Sequence, residues 1–303
     1  MKETFYRELC GCLRTDQILR GELMKNHTTF RVGGPADYFV VPEDSLQVKQ
    51  VIGLCRRQNV PWYVIGNGSN LLVGDRGYRG VIIQIYKNMS RIEIKEGQIE
   101  AQAGALLSRI GACALGESLT GMEFACGIPG TVGGAAVMNA GAYGGEMKDI
   151  LKSVTVLKEN GEIEEIPSEK LELGYRTSVI KEKGYVVLEA ALQLQKGEAS
   201  RISARMEELK KKRIEKQPLE YPSAGSTFKR PEGYFAGKLI MDAGLRGYRV
   251  GGASVSEKHC GFVINDQGGT AADIRTLMEN VQKKVWEKFQ VKLEPEVKFL
   301  GEF

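Results

Sequence analysis

The feature that most constrains the fold is a glycine-dense segment near the middle of the chain. Residues 127–145 read GIPGTVGGAAVMNAGAYGG, a stretch dominated by glycine and alanine that contains no charged side chain. Flexible linkers are typically polar, so this composition does not indicate a linker. Glycine lets the backbone approach a neighbouring group closely. We therefore interpret the segment as backbone packed tightly against another surface.

A second glycine-rich stretch follows a predicted buried strand at Trp62–Ile65. We call Gly66–Asn70 (GNGSN) the glycine turn and Gly127–Gly133 the glycine loop. Successive N–H groups in such segments form concavities that bind anions. The loop lacks the Gly-Lys-Ser/Thr ending of a Walker A loop and the placement of a Rossmann fingerprint. The two stretches are suited to flank one diphosphate, and tight structural turns are the open alternative.

Hydrophobic periodicity predicts helices and strands along the rest of the chain. Helices are predicted from Asp44 or Ser45 onward and at about 106–118, 201–216 and 271–289. Strands are predicted at 62–65 and 81–85, with a hairpin over 91–103 and an extended segment over 291–300. Trp286, inside the last helix, is predicted to be a core aromatic.

Composition narrows the function classes. The formal net charge of +4 is too small to indicate a nucleic-acid binder, although it favours an anionic ligand. Two histidines and scattered cysteines predict no metal site. No run of about 18 apolar residues is present, so no membrane helix is expected. Without an apolar signal core near the first residues, we expect a cytoplasmic protein with reduced cysteines. His259 either contacts substrate or caps a loop.

Several short motifs occur in one order along the chain. They are NHTTFRVGGP at 26–35, GNGSNLLV at 66–73, GIPGTVGGAAVMNAGAYG at 127–144, GYRTS at 174–178, AGSTFKRP at 224–231, AGLRGYRVGGASVSEKHCGFVIN at 243–265 and LEPEVKFLGEF at 293–303. Each motif is short, but their ordered combination is specific. The set resembles the UDP-N-acetylenolpyruvoylglucosamine reductase family from about residue 20 to the last residue.

The resemblance implies an α+β fold. It comprises a two-part FAD-binding unit of the vanillyl-alcohol-oxidase (PCMH) type and a C-terminal α+β substrate-binding domain. The implied boundaries are 1–24 for an N-terminal helical segment, 25–200 for the FAD-binding unit with subdomains at about 25–83 and 84–200, 201–290 for the substrate-binding domain, and 291–303 for a C-terminal strand that carries Glu296.

The resemblance also implies an activity. The family uses non-covalent FAD, with NADPH as co-substrate, to reduce UDP-N-acetylglucosamine enolpyruvate to UDP-N-acetylmuramate in peptidoglycan precursor synthesis. Hydride passes from flavin N5 to the enolpyruvyl group. We expect a monomer without nucleic-acid or membrane partners. Two other interpretations stay open: an FAD oxidase of sugars or alcohols with the same fold, and a non-catalytic flavin-binding subunit.

The motifs carry the family's site residues onto this chain. Arg176, Ser226 and Glu296 match the catalytic trio. The matching cofactor-binding positions are Gly66, Asn67, Gly68, Ser69, Asn70, Gly127, Gly130, Thr131, Gly133 and Asn139. Tyr175, Lys216 and Lys229 are candidate substrate contacts. An always-charged guanidinium suits binding of the substrate carboxylate, Ser226 would donate the proton, and Glu296 would need a raised pKa to act as a hydrogen-bond donor.

One departure from the longer members of the family is visible. Those members carry an insertion after the Tyr-Arg-x-Ser motif, with a tyrosine that closes over the substrate. Only about fifteen residues separate Ser178 from the end of the next predicted strand, near Leu194. The chain therefore resembles the shorter type. Arg230 stands where the longer type has an asparagine, so that substrate contact is not carried over.

Overall fold

The computed structural model describes residues 2–303 and contains both helices and strands throughout. Its α-helices are α1 (Lys2–Cys12), α2 (Ser45–Arg57), α3 (Leu107–Gly116), α4 (Val132–Val137), α5 (Val179–Glu182), α6 (Ala199–Lys216), α7 (Ala236–Asp242) and α8 (Ala271–Phe289). Its strands are β1 (Ile18–Leu23), β2 (Pro35–Val40), β3 (Trp62–Ile65), β4 (Leu71–Val73), β5 (Tyr78–Gln84), β6 (Ile92–Lys95), β7 (Gln98–Gln102), β8 (Leu119–Thr120), β9 (Gly141–Ala142), β10 (Gly145–Glu146), β11 (Leu151–Leu157), β12 (Ile163–Pro167), β13 (Val186–Gln193), β14 (Gln195–Lys196), β15 (Arg249–Val250), β16 (Ala253–Val255), β17 (Val263–Asn265) and β18 (Lys298–Leu300). The predicted α+β class is confirmed.

The chain divides into two compact units built from interleaved segments. Unit 1 holds the described residues up to Leu19, then 38–67 and 80–212, whereas unit 2 holds 20–37, 68–79 and 213–303. The boundaries predicted above follow chain order and assign 25–37 and 68–79 to the FAD-binding part. In the structure these segments share a hydrophobic core with the last third of the chain, through Phe30 and Leu72. The predicted domain boundaries stay a prediction.

Unit 1 is built around an antiparallel sheet in the order β12–β11–β13–β7–β6. Hydrophobic alternation explains its core face: Val154 and Val156 of β11 are fully buried. Val154 pairs with Ala190 of β13, and a register shift follows between Thr155 and Val156. The predicted hairpin is confirmed as β6 and β7, which pair Ile94 with Ile99.

The strand that leads into the glycine turn is also in unit 1. β3 pairs in parallel with β5, from Trp62 opposite Val81 to Ile65 opposite Gln84. The predicted helix after Asp44 is confirmed as α2, and the Asp44 carboxylate caps it by accepting from Gln47 N at 2.8 Å. The glycine turn therefore begins at the carboxyl end of a strand that is fixed by its parallel neighbour.

Unit 2 is organised around α8 and the small antiparallel sheet β15–β16–β17. The apolar stripe of α8 is buried as its period predicts, and consists of Ile274, Leu277, Met278, Val281 and Val285. Trp286 is 49% exposed, so its prediction as a core aromatic is wrong. It follows Val285 directly, and one residue further along a helix turns the side chain about 100° away from the buried stripe.

The last strand of the chain returns to an early one. β18 pairs in parallel with β4, with Lys298 opposite Leu71 and Leu300 opposite Val73. Of the predicted extended segment 291–300, only Lys298–Leu300 forms a strand of several residues, and Pro295 makes an isolated bridge with Phe228. None of the helices between residues 2 and 303 combines the length and apolar character that a membrane crossing needs.

Candidate functional site

The glycine turn and the glycine loop meet in unit 1. Asn67 Nδ2 donates a hydrogen bond to the Pro129 carbonyl at 2.8 Å. A Cβ added to Gly66 would lie 2.4 Å from Thr131 Oγ1, a separation that real Cβ atoms do not show. The close approach therefore requires glycine at position 66. The predicted association of the two stretches is present for Gly66 and Asn67.

The glycine loop is held mainly by backbone hydrogen bonds, in addition to the Asn67 contact. Gly133 N donates to Ala103 O at 2.9 Å, and Gly130 O accepts from Leu107 N at 3.1 Å. Thr131 is buried and caps α4, since its Oγ1 accepts from Gly134 N. Gly127 is exposed at the start of the loop. The loop is therefore a fixed backbone surface, as expected for a segment that approaches a ligand.

The rest of the glycine turn lies in unit 2. Gly68 O accepts from Thr29 N at 3.3 Å, and Asn70 Nδ2 donates to Glu296 O at 3.2 Å. Thr29 Oγ1 is buried and has no hydrogen-bond partner within residues 2–303. A buried hydroxyl left in that state is costly unless a bound group satisfies it.

The backbone donors of the turn suit an anion. Among residues 2–303, no carbonyl or side chain accepts a hydrogen bond from the N–H groups of Asn67, Gly68 and Ser69. Successive free N–H groups in a turn stabilise the negative oxygens of a phosphate. The residues present thus fit the diphosphate of FAD, and the turn is the part of the chain that would hold it.

Arg176 lies in unit 1, in a short turn between Gly174 and Thr177. Its backbone is left-handed, with φ at 58°, a conformation that favours glycine. The guanidinium lies over the ring of Tyr175 at 5.1 Å, and Nη2 donates to Gly141 O at 3.4 Å. Arg176 is half-buried and Tyr175 is 55% exposed, so the arginine sits at the margin of the unit beside an open aromatic face.

Asn139 is buried within unit 1, with its side chain bonded to other parts of the protein. It is 1% exposed, and its side chain is hydrogen-bonded inside unit 1 to Glu146, Lys148 N and Gly174 O. Both amide hydrogens are used by protein acceptors. The assignment of Asn139 to flavin binding stays a prediction, and the geometry links the side chain to the Arg176 turn instead.

Ser226 and Glu296 both lie in unit 2, on segments joined by Thr227. Thr227 is fully buried: its N donates to Gly261 O, its Oγ1 accepts from Val263 N and its O accepts from Glu296 N, each at 2.9 Å. Ser226 is exposed and Glu296 is half-buried. The chain turns before the serine at Gly225, where φ is 75°. Thr227 therefore fixes the backbone of both predicted catalytic residues in this unit.

The candidate substrate lysines differ in their surroundings. Lys229 Nζ pairs with the Glu294 carboxylate, and Lys229 N also donates to Glu294 O at 2.8 Å. Lys216 is exposed at the end of α6. Glu294 and Glu296, which alternation places on one face, differ in exposure: Glu294 is exposed and Glu296 is half-buried.

His259 caps a loop. Its Nδ1 accepts from Gly261 N at 3.0 Å, and its ring meets the edge of Phe262. Burial lowers the pKa of His259 below its ordinary value, because desolvation disfavours the charged ring. Within residues 2–303 no group of three or more histidine, cysteine or acidic side chains is placed to hold a metal ion.

The sequence did not identify the residues that hold the backbone next to the candidate catalytic residues. Thr227 and Ser178 lie inside quoted motifs but carried no assignment, and Glu146 lies outside them. Ser178 Oγ donates to Val137 O at 2.7 Å. β13 begins at Val186, so only a short helix and a turn follow Ser178 and the insertion of the longer type is missing between them.

Comparisons with known proteins identify the family of the chain. Residues 217–300 match the family model described as UDP-N-acetylenolpyruvoylglucosamine reductase, C-terminal domain, and residues 36–167 match the FAD binding domain. The UDP-N-acetylenolpyruvoylglucosamine reductase of Agathobacter rectalis is 54% identical over 315 aligned positions, covering 100% of both chains.

Comparison with solved structures also identifies a reductase of this name. The crystal structure of UDP-N-acetylenolpyruvylglucosamine reductase from Thermus caldophilus superposes with a TM-score of 0.80 at 36% identity, covering 93% of this chain and 99% of that one. A Phl p 4 variant described as a glucose oxidase reaches a TM-score of 0.51 at 14% identity over 64% of this chain and 44% of its own, which shows a shared fold alone.

These findings confirm the predicted fold and the predicted oxidoreductase class. The match to the FAD binding domain supports the flavin cofactor. Identity above one half across the whole length, together with the C-terminal family model, is specific to one group of enzymes. The chain therefore belongs to the UDP-N-acetylenolpyruvoylglucosamine reductase family.

Proposed function

We propose that this chain uses NADPH to reduce the enolpyruvyl double bond of UDP-N-acetylglucosamine enolpyruvate, giving UDP-N-acetylmuramate for peptidoglycan precursor synthesis. The observation that carries the proposal is the full-length identity of 54% to a reductase of that name. Arg176, Ser226 and Glu296 stand in the motifs that support it. The expectation of a cytoplasmic monomer stays a prediction.

Bound FAD would accept hydride from NADPH and supply it to the substrate. The glycine turn and the glycine loop would hold its diphosphate, since Asn67–Ser69 offer free N–H donors and the loop presents a fixed backbone. Gly66 allows the turn to lie against Thr131. No covalent link is part of the proposal.

Arg176 would bind the carboxylate of the enolpyruvyl group. Reduction places negative charge on the carbon beside that carboxylate, and the carboxylate shares it. A guanidinium is charged at every working pH and binds a carboxylate with two parallel N–H donors. A fixed donor that meets developing charge stabilises the transition state more than the ground state. The Tyr175 ring under the guanidinium orients this donor.

Ser226 would donate the proton that completes the reduction. A serine hydroxyl is a weak acid, but the carbon that receives the proton is strongly basic once hydride has been added. The hydroxyl is exposed, while its neighbour Thr227 is fully buried and anchored. Glu296, whose N–H donates to Thr227 O, would assist in the protonation and in holding the substrate. Lys216 and Lys229 stay candidate substrate contacts.

The direct test is a turnover assay under anaerobic conditions. Purified protein is mixed with NADPH and UDP-N-acetylglucosamine enolpyruvate, and loss of absorbance at the nicotinamide band is followed. We expect oxidation of one NADPH per sugar reduced, with the product identified by mass spectrometry. A parallel assay with NADH measures the preference between the two nucleotides.

Two other results would contradict the proposal. Oxygen-dependent oxidation of a sugar or alcohol, with yellow colour retained in an acid precipitate, would indicate an oxidase with covalent flavin. Bound FAD without turnover of NADPH in any of these assays would indicate a non-catalytic flavin-binding protein.

A further inference from the structure

The Arg176 turn holds a backbone strain that local bonding does not explain. A left-handed arginine, at φ 58°, is unfavourable compared with glycine and persists only where its surroundings fix it. Within the turn, Gly174 and Thr177 exchange two backbone hydrogen bonds of 3.2 and 3.4 Å, which are long. Further contacts must therefore stabilise this conformation.

Asn139 supplies the first of these contacts. Its Nδ2 donates to Gly174 O at 3.1 Å, two residues before Arg176, and to Glu146 Oε2 at 2.6 Å. Its Oδ1 accepts from Lys148 N at 2.9 Å. The residue itself has φ at 40°, a region in which asparagine is enriched. A buried amide that donates one hydrogen to the turn and the other to a carboxylate is suited to hold that turn.

The other side of the turn is held in the same way. Ser178 is fully buried; its Oγ donates to Val137 O at 2.7 Å and accepts from Lys181 N at 3.2 Å. Lys181 Nζ donates to Arg176 O at 2.9 Å. The chain on both sides of Arg176 is thus attached to residues 137–141, the segment that follows α4.

We propose that Asn139, oriented by Glu146, is a positioning residue that sets the Arg176 guanidinium for the substrate carboxylate. The inference rests on the proposed role of Arg176 in the reductase reaction. Asn139 has no amide hydrogen left for another ligand, so its effect passes through the turn. Its loss should change the placement of the guanidinium and leave the flavin-holding segments intact.

The test uses Asn139→Gly, because glycine tolerates the positive φ and removes only the side chain. We expect reduction of the enolpyruvyl substrate to slow by about 10- to 100-fold, the scale of a misplaced catalytic group. Reduction of bound flavin by NADPH and FAD content, measured in the same samples, separate this effect from the predicted flavin contact; an equal loss in flavin reduction would overturn the inference. Glu146→Ala, which removes the acceptor that orients the amide, should slow the same step by a smaller factor.

A double-mutant cycle decides whether the effect passes through the arginine. In an Arg176→Lys background, Asn139→Gly should change the rate by less than about threefold, since residues that act through one another are not additive. Val154→Ala, a cavity in the fully buried core of the same unit, is the control for lost stability. Multiplicative effects, or an equal loss in the Val154 variant, would overturn the inference.

A second measurement does not depend on turnover. Trypsin cuts after arginine, so cleavage of the Arg176–Thr177 bond in the full chain reports opening of the turn. We expect Asn139→Gly to raise that cleavage rate by roughly tenfold, because cleavage follows the population of the open turn. Val154→Ala should not raise it selectively. If the protein fails to reduce the enolpyruvyl sugar, the proposed function fails, while unchanged cleavage in Asn139→Gly would refute the inference alone.

Discussion

The Arg176 turn in unit 1 and the Ser226 segment in unit 2 are built by different means. Two buried side chains attach the turn to a distant segment: Asn139 donates to Gly174 O at one end, and Ser178, directly after the turn, donates to Val137 O at the other. The serine segment is fixed mainly through the backbone of its neighbour Thr227, which bonds to Gly261, Val263 and Glu296. The comparison shows that the strained backbone of Arg176 depends on a few polar side chains, whereas the position of Ser226 depends mainly on backbone hydrogen bonds like those between strands.

The largest expected effect is that of a substitution at Ser226, the predicted proton donor of the Ser226 segment. In Ser226→Ala, reduction of bound flavin by NADPH should keep its normal rate. Reoxidation by the enolpyruvyl substrate should slow by about 10⁴-fold, at the upper end for a lost general acid. Stopped-flow absorbance of the flavin measures both half-reactions.

Ser226→Cys is the matched control, because a thiol also donates a proton, and part of the rate should return. Slow flavin reduction, or fast reoxidation, in the alanine variant would show that Ser226 is not the proton donor.

Arg176→Lys tests the strained turn. The charge stays but the fork of donors is lost, so turnover should fall by about 10²- to 10³-fold, as for one lost transition-state donor. Melting temperature and FAD content should stay unchanged. Arg91→Lys, at an exposed ion pair with Glu93 in the same unit, is the control and should keep full activity. Near-normal turnover in the Arg176 variant would place the reacting carboxylate elsewhere.

Thr227→Val tests the one side-chain hydrogen bond that holds the Ser226 segment. The variant removes the acceptor of Val263 N while keeping nearly the same volume, and a buried donor left unsatisfied costs about 1–3 kcal/mol. Urea unfolding should show that loss in the free energy of unfolding. Thr155→Val, at a half-buried strand position of unit 1, should stay within about 0.5 kcal/mol. Equal values for the two variants would show that the Thr227 Oγ1 contact does not stabilise this segment.

The smallest expected effect concerns pH. Burial lowers the pKa of His259 in the folded protein below its value of 6.5 in an unfolded chain. The folded state then binds a proton less readily than the unfolded state, so its stability is complete above pH 6.5 and decreases as pH falls through the lowered pKa.

His259→Gln keeps an acceptor for Gly261 N but does not titrate. The difference in free energy of unfolding between wild type and variant, measured by urea at several pH values from 7.5 to 5, should shrink as pH decreases. A constant difference would contradict burial of a neutral ring.

Much of the fold could be predicted because its signals are local. The period of α8 located Ala271–Phe289 and its buried stripe, and the turn between β6 and β7 is readable from Glu96 and Gly97. The error at Trp286 has a simple cause: a large aromatic was assigned by type rather than by its angular position on the helix.

The interleaving of the units could not be predicted in the same way. The pairing of β4 with β18 joins segments that are distant in sequence, and nothing in the sequence of either strand indicates which strand it pairs with. Within the candidate site, Arg176 and Ser226 could be named from their motifs. The hydrogen bonds of Asn139 could not, because they depend on which carbonyl lies next to the buried amide in the folded chain. Such contacts are tertiary and have no local pattern.

The pairing of Leu71 with Lys298 also bears on how the chain is made on the ribosome. Unit 2 contains early segments, yet its core also includes the buried stripe of α8 together with Leu293 and Val297, which are synthesised much later. Phe30 and Leu72, fully buried in the folded protein, lack these core partners until the later segments leave the ribosome. During translation this apolar surface is open to aggregation and to chaperones.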